Sequence, residues 1–83
     1  MNEFVVYLLY SRLHGRTYIG FTSDLINRFR SHNHYSKKGF TSRYRPWEVL
    51  HVEFYATRQQ AMQRERWLKS GAGRDWIRAN VKF

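Results

Sequence analysis

Apolar positions open the chain in two runs, each carrying a tyrosine. Phe4 to Tyr10 is apolar on both alternating sets, with Phe4, Val6 and Leu8 on one and Val5, Tyr7 and Leu9 on the other. A strand apolar on both faces is a central strand covered on both sides. Ser11 to Gly15 is polar and ends in glycine, which predicts a hairpin connection, and Arg16 to Gly20 predicts a second short strand. Opposed residues of an antiparallel pair share a face. Tyr7 and Tyr18 therefore share one only if paired residue numbers have an odd sum. A loop of Arg12 to Gly15, with Ser11 opposite Arg16, meets that condition, and a one-residue slip would separate the tyrosines.

Gly20 closes the second strand and lets another backbone, or a phosphate, come close. Thr22, Ser23 and Asp24 are N-cap candidates for a helix predicted from about Asp24 to His32, with an apolar stripe of Leu25, Ile26 and Phe29. Arg28 and His32, four apart, lie one above the other beside that stripe. His34 to Arg45 is polar and basic, with Tyr35, Phe40 and Tyr44 interleaved, and is expected to be a loop. Lys37, Lys38, Arg43 and Arg45 are its candidate nucleic-acid contacts, since cations alternating with aromatics suit a backbone with bases free to stack. The same pattern equally fits a surface loop whose aromatics tuck onto the core.

Pro46 opens a third strand, Trp47 to Tyr55, with Leu50, Val52 and Phe54 on one face and Val49, His51, Glu53 and Tyr55 on the other. Thr57-x-x-Gln60 is a capping box and starts a helix to about Ser70, with Gly71 just past its end. Ala61, Met62, Glu65 and Leu68 recur at helical spacing as its inward stripe. Glu65 is the anomaly there. An inward carboxylate needs a cation, and a metal or a nearby arginine would serve. Gly73 to Val81 predicts a short last helix with Trp76 and Ile77 inward and Asn80 near its end.

Length and composition narrow the reading. The 83 residues allow one domain, 1–83, with a thin core. No cysteine is present to form disulfides or ligate zinc, so aromatics, at 18%, carry much of the packing. Fifteen Lys and Arg against 6 Asp and Glu give a net charge of +9, which points to a polyanionic partner, nucleic acid first. No apolar run approaches the roughly 20 residues of a membrane span, and the N-terminus lacks the features of a signal peptide. A cytoplasmic protein without membrane contact is expected, a monomer alone or within a larger complex. His14, His34 and His51 are left as surface or core residues.

Val5-Val6-Tyr7, then Tyr18-Ile19-Gly20, then Arg28-x-x-x-His32, resembles the GIY-YIG endonuclease superfamily. Thr57 to Gly71 resembles the helix that carries that family's acidic metal ligand, and Ser42 to Tyr55 the strand region before it. The chain looks most like the small stand-alone bacterial members. Val5 and Val6 depart from the Gly-Ile of the first motif, but its tyrosine is kept. The resemblance implies an α+β fold, a three-stranded antiparallel sheet flanked by about three helices. It implies hydrolysis of a nucleic-acid phosphodiester, DNA being the expected substrate, with one divalent metal, Mg2+ or Mn2+. Carried over, Tyr7 and Tyr18 are active-site tyrosines, Arg28 binds phosphate, Glu65 is the metal ligand and His32 matches a histidine found in part of the family. Asn80 matches a late asparagine within a loosely matched segment.

That chemistry is coherent. A phenol titrates near pH 10 in water, so Tyr7 needs positive charge or a relay, through Tyr18 or His32, to act as a base. Arg28 offers a planar fork to non-bridging oxygens, which lysine lacks. Mg2+ commonly keeps several waters and takes phosphate as a ligand, so a single carboxylate suffices. The competing reading is a non-catalytic nucleic-acid-binding module with the same fold. In it the tyrosines are aromatic core and Glu65 pairs with Arg28 or Arg64.

Overall fold

Strand β1 (Phe4–Ser11) lies at the centre of a three-stranded antiparallel sheet of order β2-β1-β3, with β2 at Arg16–Thr22 and β3 at Glu48–Tyr55. Helix α1 (Leu25–Arg30) follows β2, and α2 (Arg58–Lys69) and α3 (Gly71–Asn80) follow β3. The fold is α+β, as expected. This computed structural model describes residues 3–30, 33 and 43–82.

The β1–β2 register pairs Ser11 with Arg16, Leu9 with Tyr18 and Tyr7 with Gly20. The connection is the even turn of residues 12–15, closed by Gly15 at φ +63°, a conformation that glycine adopts without steric cost. Tyr7 and Tyr18 therefore share a face. Glycine opposite Tyr7 is required by space: a Cβ at Gly20 would stand 2.5 Å from the Tyr7 hydroxyl oxygen and 2.7 Å from Cζ.

Both faces of β1 are covered. Val6, Leu8 and Ile19 pack with Ala61, Leu68 and Ile77 of α2 and α3. On the opposite face Tyr7, Leu9 and Trp47 form a second cluster, joined by Tyr18, Val52 and the α1 residues Leu25 and Phe29. Ile26, expected in the α1 stripe, is exposed, because Leu25 and Phe29 line the docked side and Ile26 projects about 100° round the helix from Leu25. The expected faces of β3 are also corrected. The β1–β3 register jumps from Leu8–His51 to Leu9–Val49, leaving Leu50 as a bulge. Leu50 therefore packs with the helix-side cluster while Val52 joins the tyrosine side, and Phe54 is exposed.

The capping box at α2 is formed, with Thr57 Oγ1 accepting from Gln60 N at 3.2 Å and Gln60 Oε1 accepting from Thr57 N at 3.3 Å. The helix ends otherwise than expected. Ser70 caps both helices, its N–H donating to the Trp67 carbonyl and its hydroxyl accepting from Gly73 N. Gly71 begins α3 instead of closing α2. The tight junction falls on Gly73, where a Cβ would overlap the Trp67 carbonyl and the Leu68 backbone.

Between β3 and the last two helices lies a polar cluster. Glu53 receives both Arg64 Nε (2.8 Å) and Arg64 Nη2 (3.0 Å), His51 Nε2 at 2.9 Å and the Tyr55 hydroxyl at 2.7 Å. The Arg64 guanidinium lies 4.7 Å from the ring centres of Trp67 and of Trp76. Burial pushes the Glu53 carboxyl up, but the hydrogen bonds from Arg64, His51 and Tyr55 outweigh it and hold it at about 2, below its ordinary 4.5. Its contribution to stability is complete above about pH 4.5 and is lost as the pH falls towards about 2.

Two outcomes follow from this packing. Glu53→Gln is expected to lower the unfolding free energy by about 2 kcal/mol at pH 7 and by less at pH 3, read from urea midpoints; an equal loss at both would refute the linkage. Gly20→Ala is expected to destabilise by about 1–3 kcal/mol through overpacking against Tyr7. In Tyr7→Ala, where the space is opened, the same substitution should cost much less.

Candidate active site

The site is built outward from Tyr7, which is only 3% exposed at the centre of the sheet. Its hydroxyl lies over Gly20 of β2. Tyr18, two residues before Gly20 on the same face, sets its ring centre 6.4 Å from that of Tyr7 at a tilt of 38°. Trp47 backs Tyr18 at 6.3 Å.

Arg28 comes from α1. That helix is started as its sequence expects: Thr22 Oγ1 accepts from Asp24 N at 3.0 Å, and Asp24 Oδ1 accepts from Asn27 N at 3.3 Å. Leu25 and Phe29 dock on the Tyr7 cluster, so Arg28, one position before Phe29, is carried at the edge of that contact with an exposed side chain.

Glu65 comes from the inward side of α2, between Ala61 and Leu68, with its side chain 18% exposed. Arg64 is engaged by Glu53, so it is not the counter-ion of Glu65. The ion pair recorded for Glu65 is to Lys69 Nζ at 3.6 Å, one turn along the helix, a contact worth a fraction of a kcal/mol, about 0.3–0.5 in exposed helices.

Three residues act on the Tyr7 phenol. Burial pushes the Tyr7 hydroxyl well above the ordinary tyrosine range; Tyr18 adds to that rise, Arg28 opposes it and Glu65 adds to it again. Tyr18, Arg28 and Glu65, drawn from β2, α1 and α2, thus all lie within electrostatic reach of Tyr7 on β1. At neutral pH Tyr7 is a protonated phenol that can donate a hydrogen bond. Accepting a proton requires further positive charge beside it.

Other expected residues fall elsewhere. His32, Lys37 and Lys38 lie outside the described residues. Arg43 is exposed, and Arg45 is partly buried before Pro46. Tyr44 packs onto the Tyr7 cluster, in contact with His14 (5.4 Å) and under Arg16 (5.0 Å), so this aromatic of the basic segment tucks onto the core. Asn80 is exposed at the end of α3, its amide donating to the Trp76 carbonyl at 2.8 Å.

Asn33 has a role that its sequence does not announce. Its amide nitrogen donates to the Trp47 carbonyl at 3.0 Å and its amide oxygen accepts from Trp47 N at 2.6 Å. This pair mimics a strand ladder and ties the position after His32 to the start of β3. Asparagine in a polar stretch gives no such signal, because its partner is fourteen residues away.

The donor set at Glu65 discriminates between metals. Among the described residues no three His, Cys, Asp or Glu side chains gather into a metal-binding group. Glu65 alone, held weakly by Lys69, fits a hard cation that keeps water and phosphate oxygens as its other ligands, and does not fit the closed tetrahedral shell of structural zinc. Among the described residues no helix is long and apolar enough to cross a membrane.

A family profile described as the GIY-YIG catalytic domain matches residues 3–75, a span that includes Tyr7, Tyr18, Arg28, His32 and Glu65 and stops short of Asn80. The chain is 39% identical over 51 residues to a UPF0213 protein of Bacillus pumilus (strain SAFR-032), covering 61% of this chain and 52% of that protein. It is 36% identical over 52 residues to the UPF0213 protein YazA of Bacillus subtilis (strain 168), covering 63% and 52%. The chain spans about half the length of these curated relatives. It belongs to the GIY-YIG family, and its domain has that family's nuclease-type fold.

Proposed function

We propose that this protein is a metal-dependent endonuclease that hydrolyses phosphodiester bonds in nucleic acid, with DNA as its substrate. The observation that carries the reading is the convergence of Tyr18, Arg28 and Glu65 on the buried Tyr7 phenol from three different elements. A binding module has no use for a carboxylate half-sunk beside a phenol while the neighbouring arginine is engaged elsewhere.

In this reading Arg28 grips the non-bridging oxygens of the scissile phosphate with its planar fork. Tyr7 orients the attacking water and, as phenolate, takes its proton while the water oxygen bonds to phosphorus. The bond to the leaving ester oxygen breaks, and that oxygen is protonated from solvent. Tyr18 shields Tyr7 and supplies a second phenol for relaying the proton. Glu65 would hold a divalent cation, Mg2+ or Mn2+, which when bound supplies positive charge to the phosphate and the leaving oxygen. The charge of the Glu65 carboxylate opposes ionisation of Tyr7, so a cation neutralising it favours the basic form of the phenol.

A supercoiled-plasmid nicking assay with Mg2+ or Mn2+, and an EDTA control, tests the reading. Tyr7→Phe, Arg28→Ala and Glu65→Ala are each expected to lower nicking by at least about 100-fold while DNA affinity changes by less than about threefold. If the wild type binds DNA yet cuts no duplex, single-stranded or branched substrate, the enzyme reading fails and the binding module takes its place. If Glu65→Ala nicks as fast as the wild type, the metal assignment fails alone. A base held above its ordinary range also sets the pH response. The single-turnover rate is expected to rise from about pH 7 to about pH 9 with a logarithmic slope near 1. A flat profile over that range would exclude Tyr7 as the base.

A further inference from the structure

A cleft of about 640 Å³ runs beside the tyrosine site. Consecutive β2 residues of both orientations, Thr17, Tyr18 and Ile19, line one wall, so it follows the outer edge of that strand and not a single face. An edge strand presents unpaired backbone N–H and C=O groups. The floor is apolar, made by the buried side chains of Ile19, Leu68 and Ile77. The opposite wall carries three cations, Lys69, Arg74 and Arg78. Arg78 pairs with Asp75 at 3.8 Å, but both side chains are more than three-quarters exposed, so the pair is weak and yields readily to a phosphate.

Two residues join this cleft to the site. Tyr18 lines the cleft and packs on Tyr7. Lys69 lines it and pairs with Glu65. A strand with one phosphate at Tyr7 and Arg28 is thereby led into the cleft by its neighbouring nucleotide. The form of that nucleotide follows from the floor. A base-paired nucleotide has its faces stacked and offers only phosphates and groove edges, so it would use the cations and leave the apolar floor unused. An unpaired nucleotide offers base and sugar to the floor and phosphate to the cations together.

We propose that the cleft holds an unpaired nucleotide flanking the scissile phosphate, its base and sugar on Ile19, Leu68 and Ile77 and its phosphates on Lys69, Arg74 and Arg78. The proposal rests on the nucleic-acid reading above, and it makes single-stranded or branched DNA the preferred substrate over fully paired duplex.

Fluorescence anisotropy with labelled oligo-dT of about 12 nucleotides and with a blunt hairpin duplex separates the possibilities. Arg74→Ala/Arg78→Ala is expected to weaken oligo-dT binding about tenfold near 0.1 M salt and to reduce its log–log salt slope by about 1.4, two single-strand phosphate contacts. Thr17→Trp, which fills the cleft, should weaken oligo-dT binding with little change in slope. Both variants should leave duplex affinity within about twofold. Equal losses on oligo-dT and duplex, or no loss on either, overturn the proposal, as does displacement of oligo-dT by polyglutamate as readily as by unlabelled oligo-dT at equal charge. If the wild type nicks plasmid but the losses are equal, only the cleft assignment falls. If the expected losses appear in a protein that cuts nothing, the cleft stands and the endonuclease reading falls.

Discussion

Tyr7 lies across Gly20 because the β1–β2 register sets the two residues opposite each other, and most of the site depends on that contact. With any side chain at position 20 the phenol would have to move. With a turn one residue longer or shorter, Tyr18 would pass to the face occupied by Ala61 and Leu68, away from Tyr7. The even turn, the left-handed Gly15 and the open Gly20 therefore constrain one geometry, a buried phenol with a second ring 6.4 Å away. Leu25 and Phe29 dock α1 on the same cluster, so the position of Arg28 derives from this packing as well.

The division of charge is the second constraint. Six acidic residues face fifteen basic ones, so each carboxylate has a choice of partners. Glu53 takes the bidentate geometry with Arg64, reinforced by His51 and Tyr55 and by the rings of Trp67 and Trp76 stacked on the guanidinium. That cluster fastens β3 to α2 and α3. It also removes Arg64 from competition for the next residue along α2, leaving Glu65 with the looser pair to Lys69. Separating the carboxylates in this way lets one helix serve both the packing of the sheet and the site beside Tyr7.

Much of this was legible because it is local. The odd-sum register follows from a turn bounded by polar residues, and the Thr57–Gln60 box and the Ala61–Leu68 stripe follow from helical spacing. What was not legible depends on partners distant in the chain. The Leu50 bulge, which moves Leu50 and Val49 off the faces expected for them, shows only when β3 is laid against β1. The Glu53–Arg64 pair joins a strand to a helix, and the alternation of β3 gave Glu53 only a mixed face. Gly71 looked like a helix terminator by position, but Ser70 caps both helices and the steric demand falls on Gly73. Ile26 shares helical spacing with Leu25 and Phe29, yet it projects to the side of the docked line and stays exposed. Of the candidate site, the tyrosines, Arg28 and Glu65 were singled out by the family resemblance, whereas the Asn33–Trp47 tie gave no signal.

A small domain also explains why the central site residue is so deeply buried. A chain of this length buries only about 60–65% of its unfolded surface, so it has few residues to devote to a core alone. Here the second core cluster and the candidate site share their tyrosines: Tyr7 is buried, Tyr18 partly so, and Trp47 and Phe29 pack with them. The consequence is electrostatic. The burial that lets Tyr7 contribute to packing raises the cost of ionising it, and Tyr18 and Glu65 raise it further against the opposing influence of Arg28. Positive charge at the Glu65 side would offset part of that rise. Core and candidate site are thus coupled, because the packing that Tyr7 supplies is also what keeps its phenol protonated.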